Sequence, residues 1–205
     1  AIGVSVAENE INSTVTATVD RAVVEALGDI TITAFDLARI DTTSTAAAMA
    51  ISTGAGAAIS GGGAYAYNTI NTVTAAVVDR TGSVPVAGNP ETGKTRLTTG
   101  KNLTVRAEGN AQADALVVAA AASFGAIAAA AAGTISINRL NPKVMASIRT
   151  ADILASLSTG KVEVLALANQ KAFARSDALS VSSGASVGSS TVIATDSGSV
   201  VAELG

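Results

Sequence analysis

The sequence predicts an all-β chain, a right-handed parallel β-helix (β-solenoid) with about three coils in each ~60-residue repeat. Three observations carry this. A short motif recurs in order along the chain. Each copy is followed by apolar and polar residues that alternate with a period of two, the signature of a strand with one buried face. The composition is 48% hydrophobic but only 2% aromatic, so Ala, Val, Ile and Leu must fill the interior. Side chains that small suit a narrow core in which backbones lie close together. The right hand follows from the hand of parallel crossovers.

The motif is clearest in Ile135-Ser136-Ile137-Asn138-Arg139-Leu140-Asn141, followed by Val144-Met145-Ala146. Tyr65-Ala66-Tyr67-Asn68-Thr69-Ile70-Asn71, followed by Val73-Thr74-Ala75, repeats it, as does Val6-Ala7-Glu8-Asn9-Glu10-Ile11-Asn12, followed by Val15-Thr16-Ala17. A worn copy runs Ile193-Ala194-Thr195-Asp196, followed by Val200-Val201-Ala202. With anchors at positions 9, 68, 138 and 196, the spacings are 59, 70 and 58 residues.

A second marker is a Gly that opens an alternating run: Gly28-Asp29-Ile30-Thr31-Ile32, Gly100-Lys101-Asn102-Leu103-Thr104-Val105 and Gly160-Lys161-Val162-Glu163-Val164. The glycines divide one solenoid, residues 1–205, into a partial repeat 1–27, full repeats 28–99 and 100–159, and a partial repeat 160–205. The longer first spacing is absorbed near Pro85 and Pro90, so 84–95 reads as a loop insertion. Three short strands with corners take roughly 20 residues, which gives roughly ten coils and a rod of roughly 50 Å.

The Ala-rich stretches 46–66 and 115–133 admit other readings. Ala is the best helix former, and Ala115 to Gly133 is uncharged over a length close to a membrane span. The equivalent stretches Ser52–Ala64 and Ser180–Ser190 are rich in Gly, Ser and β-branched residues. Extended strand is the conformation that suits all of them.

Composition also bounds function. The net charge is −3 and charged residues are 14%, so there is no basic patch for nucleic acid. With no His and no Cys, most zinc, copper and haem sites are excluded. The chain opens at Ala1-Ile2-Gly3-Val4 and closes at Val200-Val201-Ala202-Glu203-Leu204-Gly205, both inside repeats. It therefore reads as a segment of a longer chain, with any export signal lying outside it.

The repeated asparagines Asn9, Asn12, Asn68, Asn71, Asn138 and Asn141 are read as corner residues, because Asn tolerates left-handed φ and bonds its own backbone. The competing reading is a polar groove for sugar or metal. Tyr65 and Tyr67 share one side of a strand, and their equivalence to Ile135 and Ile137 places them in the core rather than on a sugar-stacking platform. Asn12-Ser13-Thr14 and Asn102-Leu103-Thr104 fit a glycosylation acceptor by chance of composition. Gly88-Asn89-Pro90-Glu91-Thr92-Gly93-Lys94-Thr95 formally matches a phosphate loop but lacks a following helix. Asp36, Asp41, Asp152 and Glu163 read as solvated charge, with weakly bound Ca²⁺ at corners as the alternative. No catalytic, cofactor or resident metal residues are assigned.

The pattern Val/Ile/Tyr-Ala/Ser-x-Asn-x-Ile/Leu-Asn, then Val-x-Ala, then Gly-x-Val-x-Val-x-Ala, resembles the repeat region of large bacterial filamentous adhesins, including leukotoxin-like filamentous adhesins and β-solenoid autotransporter passengers. Glu8 and the Asp196-Ser197-Gly198 copy depart from it. The resemblance implies an extracellular, cell-surface shaft with no catalysis. Its partners would be other copies stacked head to tail or further coils of the same chain, with host-surface or matrix glycans as possible ligands. No nucleic acid partner and no membrane span are expected. Two other classes stay open: a carbohydrate- or ice-binding module, the latter hinted at by Thr16-Ala17-Thr18, Thr31-Ile32-Thr33 and Thr42-Thr43-Ser44-Thr45, and a β-helix polysaccharide-acting enzyme, which needs clustered acids.

Overall fold

The computed structural model describes residues 1–79, 95–149, 151–155 and 160–205. The insertion 84–95 lies, apart from Thr95, outside them. The described residues form twelve strands and no helix. In chain order these are β1 (Ile2–Asp20), β2 (Val23–Ala26), β3 (Ile30–Ile51), β4 (Ala57–Asp79), β5 (Thr95–Thr99), β6 (Leu103–Phe124), β7 (Ile127–Leu140), β8 (Lys143–Ile148), β9 (Ala151–Ala155), β10 (Val162–Ser182), β11 (Ala185–Asp196) and β12 (Ser199–Leu204).

The strands pair in parallel in three sheets. A front sheet stacks β1 on β4, β4 on β7 and β8, and those on β11 and β12. A back sheet runs β3–β6–β10, and a short sheet runs β2–β5–β9. β7 and β8 are two halves of one level. The ladder breaks at Asn141 and Pro142 because proline has no N–H to donate, although the Asn141 amide still bonds the Ile70 carbonyl at 2.8 Å.

The register corrects the expected coil count. Strands that stack on one another come from positions a whole repeat apart: Ile2 pairs Gly61, Ala57 pairs Ile127, Ile30 pairs Leu103, and Leu103 pairs Val162. An offset of about 20 residues, as three coils per repeat requires, occurs nowhere among these pairs. Each repeat supplies one layer, made of two long strands and one short one. The front sheet has four levels, so its outermost strands lie about 15 Å apart instead of the roughly 50 Å expected, while a 22-residue strand such as β3 extends about 70 Å.

The Gly markers stand where the sequence put them, since Ile30, Leu103 and Val162 lie in one row. Three anchors hold as well: Asn9, Asn68 and Asn138 are in register. The fourth moves by two residues, because Asn138 pairs Ala194 and not Asp196. The Ala-rich stretches are strands except at two turns, one at Gly125–Ala126 and one near Gly54, whose φ of 95° is the left-handed conformation glycine allows without strain.

The two long sheets pack face to face, and the core changes character along them. Beside the short sheet, Ile30, Ile32, Val78, Leu97, Leu103, Val105 and Ile148 fill the interior. Toward the tight turns it is almost all alanine, including Ala64, Ala66, Ala119, Ala121, Ala130 and Ala132. Methyl groups meet only where the sheets approach closely. Gly3 and Gly62, paired in register, mark one close approach. A Cβ on Gly62 would stand 2.6 Å from the Ala120 carbonyl oxygen, and one on Gly3 would strike the Ala47 carbonyl oxygen. Ala47 and Ala120 are themselves in register.

Candidate functional site

The asparagines are not corner residues, which corrects the sequence expectation. Asn9, Asn12, Asn68, Asn71 and Asn138 lie inside long strands, and Asn141 falls in the break between β7 and β8. The corner between the front and short sheets is turned instead at Arg21, with φ of 48°, whose amide donates to Thr95 Oγ1 at 2.8 Å. Asn9, Asn68 and Asn138 face inward and form a ladder. Asn9 Nδ2 donates to Asn68 Oδ1 at 2.9 Å, and Asn68 Nδ2 donates to Asn138 Oδ1 at 2.8 Å. Asn68 and Asn138 are fully buried.

The ladder also ties the two long sheets together. Thr42 Oγ1 of β3 donates to Asn68 Oδ1 at 2.8 Å, and Asn138 Nδ2 donates to the Ala113 carbonyl at 3.0 Å and to the Phe173 carbonyl. The Asn68 and Asn138 amides are fully used within the core, and Asn9 at the open end spends its Nδ2 on Thr42 and Asn68. Asn71 Nδ2 donates to Asn12 Oδ1 at 3.0 Å on the outer face.

Tyr65 and Tyr67 face outward, a second correction. Ala66, Asn68 and Ile70 take the inward positions, and Ile135, level with Tyr65, is 41% exposed. The tyrosine rings are parallel within 5°, with centroids 6.5 Å apart. Arg139 holds the pair: its guanidinium carbon lies 5.3 Å from the Tyr67 ring centroid, and Nη1 donates to the Tyr67 hydroxyl at 3.0 Å. Cation–π contact and a hydrogen bond together fix the outer tyrosine.

Beside Tyr65 the outer face drops into a trough of about 410 Å³. Gly63 and Gly133, in register, form part of its lining, and Val4, Val6, Tyr65 and Ile135 stand along it. Ser189 and Thr191 line the β11 side. No lining residue is charged.

The remaining candidates are dispersed. Asp36 accepts from Ser13 Oγ, Asp41 is bonded to Arg39, and Glu163 is bonded to Lys161. Among the described residues no three His, Cys, Asp or Glu side chains gather as a metal would require. The Arg39 guanidinium donates to Asp41 at 2.6 and 3.0 Å and holds that carboxyl below the ordinary carboxylate range. The phosphate-loop match at 88–95 lies outside the described residues apart from Thr95, whose Oγ1 donates to the Asp79 carbonyl at 2.7 Å. Thr16 and Thr18 point outward from the front sheet, while Thr31, Thr33, Thr43 and Thr45 point outward from β3 of the back sheet, so the three threonine runs divide between two faces. No helix among the described residues is long and apolar enough to cross a membrane.

Arg139, Gly63 and Gly133 escaped the sequence reading. Their signal was glycine and arginine at outward positions beside the tyrosines, legible only once the inward set is known. No family model matches the chain, and neither a curated protein nor a solved structure matches it.

Proposed function

We propose that this chain is a structural, adhesive shaft segment of a bacterial extracellular surface fibre of the filamentous-adhesin type, without catalysis. In this reading the three parallel sheets are the faces of a right-handed β-solenoid with one coil per repeat. The observation that carries it is the whole-repeat register. Stacked strands pair residue for residue over as many as 22 positions, so each repeat templates the next. A repeat of this kind cannot bury its own face and gains stability only from its neighbours.

The terminal layers support the same reading. β3 and β10 each leave one long edge without a strand partner among the described residues, and β11 and β12 are exposed along their whole length. Such edges are templates for another strand. Further coils of the same chain, or another copy stacked on the end, would cover them.

Electron microscopy and fibre diffraction of the native material test the proposal. A continuous filament with a layer spacing of about 4.8 Å along its axis is the expected result. Discrete compact particles, with no axial repeat, would contradict it.

A further inference from the structure

Three glycines on the outer face of the front sheet have no structural reason to be glycine. A Cβ added at Gly61, Gly63 or Gly133 meets nothing within 4 Å, and none of the three has a positive φ. Gly62, between them and facing inward, is needed for the close approach to Ala120. Glycine inside a strand costs roughly 0.5–1 kcal/mol relative to alanine, and in a strand it often marks close approach of a ligand. From Ile59 to Tyr65 the strand runs about 20 Å, and both outward positions between them lack a side chain. Tyr67 covers one side of Tyr65, and the glycine row leaves its other side open.

We infer that this trough binds a neutral carbohydrate, with a sugar ring laid on the backbone of Gly63 and Gly133 and its C–H face against Tyr65. The chemistry of the lining selects that class. The wall is aromatic and aliphatic, its polar residues are Tyr65, Ser189 and Thr191 with the inward-turned Ser5 and Thr134, and no charge is present to recognise an anion or a cation. An extended peptide is disfavoured because β4 and β7 are each paired on both sides and have no free edge for strand addition. The volume falls in the range of small-molecule sites. The inference goes beyond the shaft reading and can fail without it.

Tyr65 and Tyr67 are the protein's two tyrosines and it has no tryptophan, so intrinsic fluorescence reports on this site. Cello-, malto- and N-acetylchito-hexaose are titrated into the protein, with calorimetry in parallel and heparin hexasaccharide as the charged comparison. At least one neutral hexasaccharide is expected to bind and to change tyrosine emission. Gly63→Val, which fills the trough with a good strand former, and Tyr65→Ala should each weaken that binding at least tenfold, about 1.4 kcal/mol, while Asn12→Ala leaves it unchanged.

Gly63→Val should keep the wild-type melting temperature or raise it, which separates loss of binding from loss of fold. Three results would overturn the inference: no neutral sugar binding up to about 10 mM, binding indifferent to Gly63→Val, or preference for heparin. Concentration-dependent dimerisation that Gly63→Val abolishes would assign the trough to a second copy of the chain instead.

Discussion

The side-chain amide of Asn68 donates to Asn138 Oδ1 across 2.8 Å between two stacked layers, with both residues fully buried. Asn68 Oδ1 simultaneously accepts from Asn9 and Thr42. Asn68→Ala would leave buried Asn138 Oδ1 without its donor and buried Thr42 without its acceptor, and is expected to destabilise the fold by about 2–4 kcal/mol. Asn9→Ala, at the open end of the ladder where water replaces the lost partner, should cost about 1 kcal/mol or less. Urea denaturation of both variants checks this. Equal losses would mean that the ladder is not a core element.

Gly62→Ala and Gly63→Ala separate the two faces of one strand. The first puts a methyl 2.6 Å from the Ala120 carbonyl oxygen and should destabilise by about 1–3 kcal/mol. The second meets open space and should be neutral, or stabilising by up to about 1 kcal/mol. Thermal melts of the pair read the difference directly, and a reversed order would place the wrong face inside.

The Ala-rich segment of β6 offers the same contrast in the back sheet. Ala119 is fully buried in the alanine core, whereas its neighbour Ala120 points outward. Ala119→Leu should cost about 1–3 kcal/mol through overpacking, and Ala120→Leu should fall within about 0.5 kcal/mol of wild type. A helical segment would spread the two effects without this alternation.

Asp41 should titrate below its ordinary value of 3.8, because the Arg39 hydrogen bond and charge favour its ionised form. The pairing therefore contributes at pH above the unfolded value and is lost as pH falls through the lower folded value. Both groups are exposed, so the effect on stability is small. Carboxyl-carbon NMR titration reads the folded pKa. Arg39→Gln should return it toward 3.8, and an unchanged value in that variant would remove Arg39 as the cause.

The strand content, the parallel stacking and three of the four repeat anchors were legible because alternation and an ordered internal repeat leave few conformations open. The layer count was not, because a repeat of about 60 residues accommodates three short coils or one long one equally well. The signal that separates them was present: residues 30–51 run for 22 positions without Gly, Pro or Asn, so no corner divides them.

Facing differs from expectation at the tyrosines because their equivalents Ile135 and Ile137, apolar but outward, are not the inward positions of the motif. Here the interior is too narrow for a ring, so Ala66 and Asn68 go inside and Tyr65 and Tyr67 stay out. A one-residue slip in facing reverses every assignment on a strand. That is why Arg139 and the glycine floor, the most distinctive parts of the outer face, escaped the sequence reading.

The whole-repeat register is the central claim, and a disulfide tests it most directly. The chain has no cysteine, so Asn12→Cys with Asn71→Cys introduces a single thiol pair on the outer face. These residues are directly in register, about 4.8 Å apart at Cα, within reach of an unstrained disulfide. Three coils per repeat would separate them by about 14 Å. Under mild oxidation the account predicts a monomeric protein with no free thiol and an intact fold. Two free thiols on a folded chain would contradict it.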